Sequence, residues 1–159
     1  MRKKQNLMSR KYFTIEDLLY SDTAIEKKIK NEPTHQIISN IEELIDVLLE
    51  PMREDWTKYC EEHKFGSGAL KVTSGYRCPV LNKAVGGSST SLHLKGYAAD
   101  IIPFYGQMKK FQKWVEEWIK DKPFDKLIFE KPKNGVASWI HVALYGNNNE
   151  QRKQIFTLV

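Results

Sequence analysis

The stretch Thr73–Ile102 reads TSGYRCPVLNKAVGGSSTSLHLKGYAADII. Within it Ser91, His93, Gly96, Ala98 and Asp100 form the pattern S-x-H-x-x-G-x-A-x-D, and farther on His141 stands in Trp139-Ile140-His141-Val142. One imidazole, a carboxylate seven residues later and a distant second imidazole make a three-ligand set for a divalent metal. Two nitrogens and one oxygen suit zinc, and three protein ligands leave the fourth position open for water, which separates a catalytic zinc from a structural one. Asp100 is flanked by Ala98, Ala99, Ile101 and Ile102, so Ala98 to Ile102 reads as a buried strand carrying a carboxylate. That group is costly to bury unpaired, and a cation removes the cost.

Outward from this stretch, Leu70 to Thr73 reads as a strand after the turn signal Gly66-Ser67-Gly68, Pro79 to Ala84 as a helical turn, and Val85 to Ser91 as a loop that delivers His93. Upstream, Thr14 is a helix cap with Asp17 completing a weaker capping box, and Ser21 or Asp22 starts a second short helix through Lys30. Thr34 caps the longest helix, whose apolar face is Ile37, Ile38, Ile41, Leu44, Ile45, Leu48 and Leu49; Pro51 is expected to kink or split it. Downstream, Gln107 to Lys120 is a helix with Met108, Phe111, Trp114, Val115 and Trp118 on its core face. Phe124 to Glu130 and Ser138 to Ala143 form a hairpin around Lys131-Pro132-Lys133-Asn134-Gly135, and Gln154 to Leu158 adds an edge strand. The expectation is a single α+β domain over residues 1–159, helices on one face of a small, mainly antiparallel sheet, with residues 1–10 a flexible tail.

Composition narrows the function. An apolar fraction of 41% and a charged fraction of 28% are those of a soluble globular protein, and no apolar run reaches membrane-spanning length. No apolar segment follows the basic N-terminus, so no secretory signal is read and synthesis in the cytoplasm is the expectation. Cys60 and Cys78 read as reduced thiols, and Cys78 is not needed as a ligand. His63, among charged neighbours, reads as a surface residue. The net charge of +5 comes from lysines scattered along helices, which is a solvated surface or an attraction to an anionic cell wall. A nucleic-acid binder would need a basic stripe or a recognisable binding motif, and neither is present.

The ligand pattern resembles the zinc D-alanyl-D-alanine carboxypeptidase family, which includes the vancomycin-resistance D,D-peptidases and the L-alanyl-D-glutamate endopeptidases of phage lysins. Its upstream block S-G-Y-R-x-P-x-x-N is matched by Ser74, Gly75, Tyr76, Arg77, Pro79 and Asn82, and its final W-x-H by Trp139 and His141. The resemblance covers roughly residues 10–145. It implies a hedgehog/DD-peptidase-like fold, one catalytic zinc on His93, Asp100 and His141, and peptidoglycan stem peptides as substrate. With no secretory signal read, it also implies action on the cell wall after phage-type release. It places Arg77 at the substrate carboxylate, a role suited to a two-pronged guanidinium. Ser91 contacts substrate or supports the site, and Tyr76 and Trp139 line the pocket or the core. Other members keep an acid three residues before the final histidine, where this chain has Ser138. Glu130, ending Leu127-Ile128-Phe129-Glu130 on the strand that pairs with that of His141, is the expected general base.

Three functions compete on these residues. The first is a monomeric zinc peptidase of the cell wall, either a D-Ala-D-Ala carboxypeptidase or an L-alanyl-D-glutamate endopeptidase. The second is a catalytically silent zinc-binding module of the same fold, which an intact Glu130 and Arg77 argue against. The third is a nucleic-acid-binding protein, disfavoured by the scattered lysines.

Overall fold

The computed structural model describes residues 10–159. The expected N-terminal tail therefore falls almost wholly outside the described residues. Arg10, the one described residue of that stretch, donates its guanidinium to both carboxylate oxygens of Asp46, at 2.8 and 3.1 Å.

Two short helices lead in: α1 (Ile15–Leu19) and α2 (Asp22–Glu26). Thr14 and Asp17 form a complete capping box on α1, and Ser21 caps α2. The second helix stops at Glu26 rather than running to Lys30. Lys28 takes the left-handed conformation, and the amides of Lys28 and Ile29 return to the carbonyls of Ile25 and Ala24. That pair of hydrogen bonds closes a helix end, and no glycine announces it in the sequence.

The long helix begins at the Thr34 cap as α3 (His35–Leu44), widens into a π-helical segment over Ile45–Leu49, and continues as α4 (Glu50–His63). Pro51 stands in the first turn of α4, directly after the π-helical segment that divides the long helix. A proline lacks the amide hydrogen and presses on the carbonyl four residues earlier. The wider turns before it relieve that pressure, with the Glu50 amide reaching the Ile45 carbonyl. Ile41, Leu44, Ile45, Leu48 and Leu49 are all fully buried, as their spacing predicts.

The sheet comprises β1 (Leu70–Ser74), β2 (Ala98–Pro103), β3 (Lys126–Glu130), β4 (Trp139–Ala143) and β5 (Gln154–Leu158), in the order β1-β2-β4-β3-β5. All pairs are antiparallel except β3 with β5. Between β1 and β2 lie α5 (Pro79–Ala84) and a 3₁₀ turn (Leu92–Lys95); between β2 and β3 lies α6 (Met108–Trp118).

Directly opposed residues share a sheet face. On one face Ala99, Ile101, Leu127, Ile140 and Val142 join Trp56 of α4 and Phe111 and Val115 of α6 in the main hydrophobic cluster. On the other face Ser74, Asp100, His141 and Ile128 form one row across four strands. This is the expected α+β arrangement, and it leaves the second face for chemistry. Among the described residues no helix is long and apolar enough to cross a membrane.

Candidate metal centre

The 3₁₀ turn brings His93 over that second face. Its cap, Ser91, accepts the His93 amide, and Gly96 ends the turn with φ +75°. A side chain at Gly96 would also press on Ile37 and Ile41 of α3, so glycine is required twice. Ala98, fully buried, packs under Leu92 with Ala143. The spacing S-x-H-x-x-G-x-A-x-D is thus a cap, a ligand candidate, a turn end, a small buried residue and a strand carboxylate in succession. The expected loop before His93 is a loop, but His93 itself is presented by this ordered turn.

The upstream block supports the same turn from below. Gly75 lies so close to α1 that a Cβ there would collide with the Leu18 carbonyl oxygen. Its own carbonyl sits 2.7 Å from His93 Nδ1. A carbonyl only accepts, so Nδ1 carries the hydrogen and Nε2 carries the lone pair. Arg77 donates its backbone amide to the His93 carbonyl and a guanidinium hydrogen to Ser91 Oγ at 3.2 Å. Pro79 opens α5, and Asn82, buried, donates to the Ser88 carbonyl and so ties the following loop to α5.

His93 Nε2 lies 3.3 Å from Asp100 Oδ1, and His141 Nδ1 lies 3.0 Å from the same oxygen. The three candidate ligand atoms fall within 4.8 Å of one another. Donors about 2.0–2.1 Å from a tetrahedral zinc stand roughly 3.3 Å apart, so the spacing fits. The chemistry fits as well. The Nε2 lone pair of a neutral His93 faces a carboxylate lone pair, and two such groups repel unless a cation or proton lies between them. Burial alone raises the Asp100 pKa, but the two facing imidazoles outweigh it and hold the carboxyl well below the usual range. Cys78 is buried and free, and it is not among the three converging groups.

Glu130 ends β3 directly opposite Trp139, which places it on the face of His141, one diagonal step away. Burial raises its pKa, the charge of His141 lowers it and that of Asp100 raises it, with a net shift upward. Ser138, where related sequences carry an acid, instead donates its hydroxyl to the Lys131 carbonyl at 2.6 Å and closes the hairpin corner.

Arg77 is half-buried, and its Nε is enclosed without a partner among the described residues. Burial lowers its pKa and only Asp100 pulls it back. Trp139 is half-buried beside Glu130, with the Lys131 ammonium 5.7 Å from its ring centroid. Tyr76 is 6% exposed and belongs to the main hydrophobic cluster, so its core role is the one the packing displays. His63 is exposed and stacks on Tyr59.

Three supports act through contacts that the sequence does not signal. Asn31 donates to the carbonyls of Leu19 and Tyr76 and accepts the Cys78 amide, clamping the segment that carries Arg77. Asn40, on the buried side of α3, donates to the Lys95 carbonyl at the end of the 3₁₀ turn. The Gly75 carbonyl is the third. Buried asparagines beside turns are the residues that could have drawn attention, since each has four hydrogen-bonding positions to satisfy.

A search of curated proteins finds no match to the chain. The family model described as Peptidase M15 matches residues 11–143, from just before the α1 cap through the last residue of β4. That span contains both histidines, the aspartate, Glu130 and Arg77, and the chain belongs to the peptidase M15 family of zinc D-alanyl-D-alanine carboxypeptidases and their relatives, metallopeptidases that act on peptidoglycan.

Proposed function

We propose that this chain is a one-zinc peptidase of cell-wall stem peptides, acting as a D-Ala-D-Ala carboxypeptidase. His93 Nε2, Asp100 Oδ1 and His141 Nδ1 hold the ion. The observation that carries the reading is the convergence of two imidazole nitrogens on one largely enclosed carboxylate oxygen, with Glu130 on the adjacent strand and the same face. When bound, zinc supplies a Lewis acid for the scissile carbonyl and acidifies water to about pKa 7.

The chain's own groups do the rest. Glu130 takes a proton from the attacking water and returns it to the leaving amine nitrogen. Its raised pKa makes it a better proton acceptor than an exposed glutamate. The Arg77 guanidinium, half-buried and short of partners, binds the free carboxylate of the substrate through two parallel hydrogen bonds. Ser91 fixes both Arg77 and the His93 turn, so it acts as a positioning residue. Trp139 lines the site beside Glu130.

The alternative is an L-alanyl-D-glutamate endopeptidase, in which Arg77 would hold the α-carboxylate of D-glutamate. Digestion of purified peptidoglycan, with mass spectrometry of the new termini, decides. Loss of a terminal D-alanine is expected. New L-alanine carboxyl termini would give the endopeptidase, and intact material together with bound zinc would give the silent module.

A further inference from the structure

The face that carries the metal centre continues past it, and around Glu130 the continuation is mostly apolar, with Lys71 at its β1 end. One step along the strands from Asp100 and His141 lies a second row. Trp139 opposes Glu130, Glu130 pairs with Leu158 across the parallel β3–β5 ladder, and Ile102 follows the last paired residue of β2 and so comes beside Trp139. In the first row Ile128 pairs with Phe156. Phe156 is 40% exposed and Leu158 is 48% exposed. Large apolar side chains on an open edge strand invite unwanted pairing, so their place beside the candidate base calls for a use.

The other end of the face is closed. Beyond Asp100 and His141 in that direction come Ala98 and Ala143, both fully buried beneath Leu92 of the 3₁₀ turn. Arg77 belongs to this closed end, because β1 runs antiparallel to β2 and its segment leaves the sheet past the Ser74–Asp100 pair. A peptide whose carboxylate is held by Arg77 has room to extend in one direction only.

Resting on the peptidase reading above, we propose that Ile102, Trp139, Phe156 and Leu158 form the subsite for the acyl side of the substrate. The strip takes the two or three residues before the scissile bond, through their aliphatic side-chain portions. Rows two residues apart lie roughly 6.6 Å from each other, and each extended residue spans about 3.3–3.6 Å, so the second residue before the cut reaches the Trp139 row. The substrate therefore has a short leaving group at Arg77 and a long acyl part over β5. Phe156 and Leu158 lie beyond the residues that match the family model.

The test compares the dipeptide D-Ala-D-Ala with the pentapeptide L-Ala-D-Glu-L-Lys-D-Ala-D-Ala on zinc-loaded full-length protein. Backbone amide shifts are followed in Glu130→Gln, which slows turnover, and kcat/KM is measured in wild type and in the double variant Phe156→Ser with Leu158→Ser. Both peptides are expected to shift the Arg77 and His93 amides, and only the pentapeptide those of Phe156 and Leu158. The pentapeptide-to-dipeptide ratio of kcat/KM is expected to fall on the order of ten-fold in the double variant, mainly through KM for the longer peptide. An unchanged ratio, or pentapeptide binding at Arg77 with silent β5 amides, overturns the subsite while leaving the peptidase reading intact. Cleavage confined to the L-Ala-D-Glu bond also overturns it, since only one residue then lies on the acyl side. If neither peptide shifts Arg77 or is hydrolysed, the peptidase reading falls and the subsite with it.

Discussion

The Gly75 carbonyl and the His93 ring are joined by a hydrogen bond of 2.7 Å that decides which nitrogen of His93 faces Asp100. Because a carbonyl cannot donate, Nδ1 is protonated and Nε2 is left as a ligand. The glycine is there for a different reason: any side chain would strike the Leu18 backbone. One residue thus sets both the packing of α1 on the sheet edge and the tautomer of the first ligand.

Replacing Gly75 by alanine tests that double role. The Cβ meets backbone, so α1 and the Tyr76 segment must move and the carbonyl moves with them. Lowered thermal stability is expected, with zinc affinity weakened about 10–100-fold, the usual effect of disturbing a ligand's outer partner. Metal competition titration and thermal unfolding measure the two. His93→Ala is the companion: it should abolish stoichiometric zinc in elemental analysis, and equal zinc in variant and wild type would remove His93 from the site.

Glu130→Gln should retain zinc and lose activity by about 10²–10⁴-fold, the range for general acid–base help. The same substitution bears on stability in the metal-free protein. Burial raises the Glu130 pKa on folding, so the folded state favours the protonated form. That contribution is complete below the unfolded pKa of about 4.3 and is lost as pH rises through the folded value. The glutamine amide of the variant mimics the protonated form at every pH. Zinc-free Glu130→Gln is therefore expected to melt higher than zinc-free wild type at pH 7, with the gap closing toward pH 4. A lower melting temperature at pH 7 would show that the Glu130 charge is stabilised by a partner.

Arg152→Ala addresses the anchor of β5. Asp125 is fully buried and accepts from Arg152 Nε, from its terminal nitrogen and from its backbone amide, at 2.9, 2.9 and 3.1 Å. Burial raises the Asp125 pKa, but these bonds outweigh it and the net shift is downward. A lowered pKa gives stability that is present above the unfolded value of about 3.9 and lost as pH falls through the folded one. Removing Arg152 leaves a buried carboxylate, at a cost of roughly 3 kcal/mol, the low end for such pairs because the arginine is 41% exposed. Urea unfolding at pH 7 checks the size. The deficit should shrink near pH 3.

Much of the fold is legible in the residues themselves. The strands around Asp100 and His141, the hairpin and the apolar face of the long helix follow from short-range periodicity, which the fold leaves intact. The end of α2 at Glu26 is not legible, because a lysine occupies the left-handed position that usually calls for glycine. Nor is the π-helical widening before Pro51, since proline signals a lost hydrogen bond but not how neighbouring turns absorb it. At the site, ligand candidates are visible as residue types, whereas the clamps formed by Asn31, Asn40 and the Gly75 carbonyl depend on contacts across long stretches of chain. Trp139 and Glu130 share the His141 face by strand alternation, and only the register fixes which rows meet.

Arg77 reaches the site through the segment clamped by Asn31, and its guanidinium makes one side-chain hydrogen bond, to Ser91, among the described residues. A half-buried cation short of partners is costly to hold, and a substrate carboxylate relieves that cost on binding. Arg77→Ala should therefore lower kcat/KM for D-Ala-D-Ala substrates by an amount equivalent to about 2–5 kcal/mol, the cost of deleting one partner of a buried charged pair. Arg77→Lys should recover only part, since an ammonium is a point charge without the planar fork. Stability moves the other way: with the enclosed and unpartnered Nε gone, the substrate-free Arg77→Ala protein should be no less stable than wild type. That opposition separates a binding role from a structural one. If Arg77→Ala unfolds more easily and its activity loss is no larger than its loss of folded protein, Arg77 is a structural cation. If the variant folds normally, cleaves an L-Ala-D-Glu peptide only when the glutamate α-carboxylate is amidated, and the wild type prefers the free acid, the same guanidinium serves an endopeptidase.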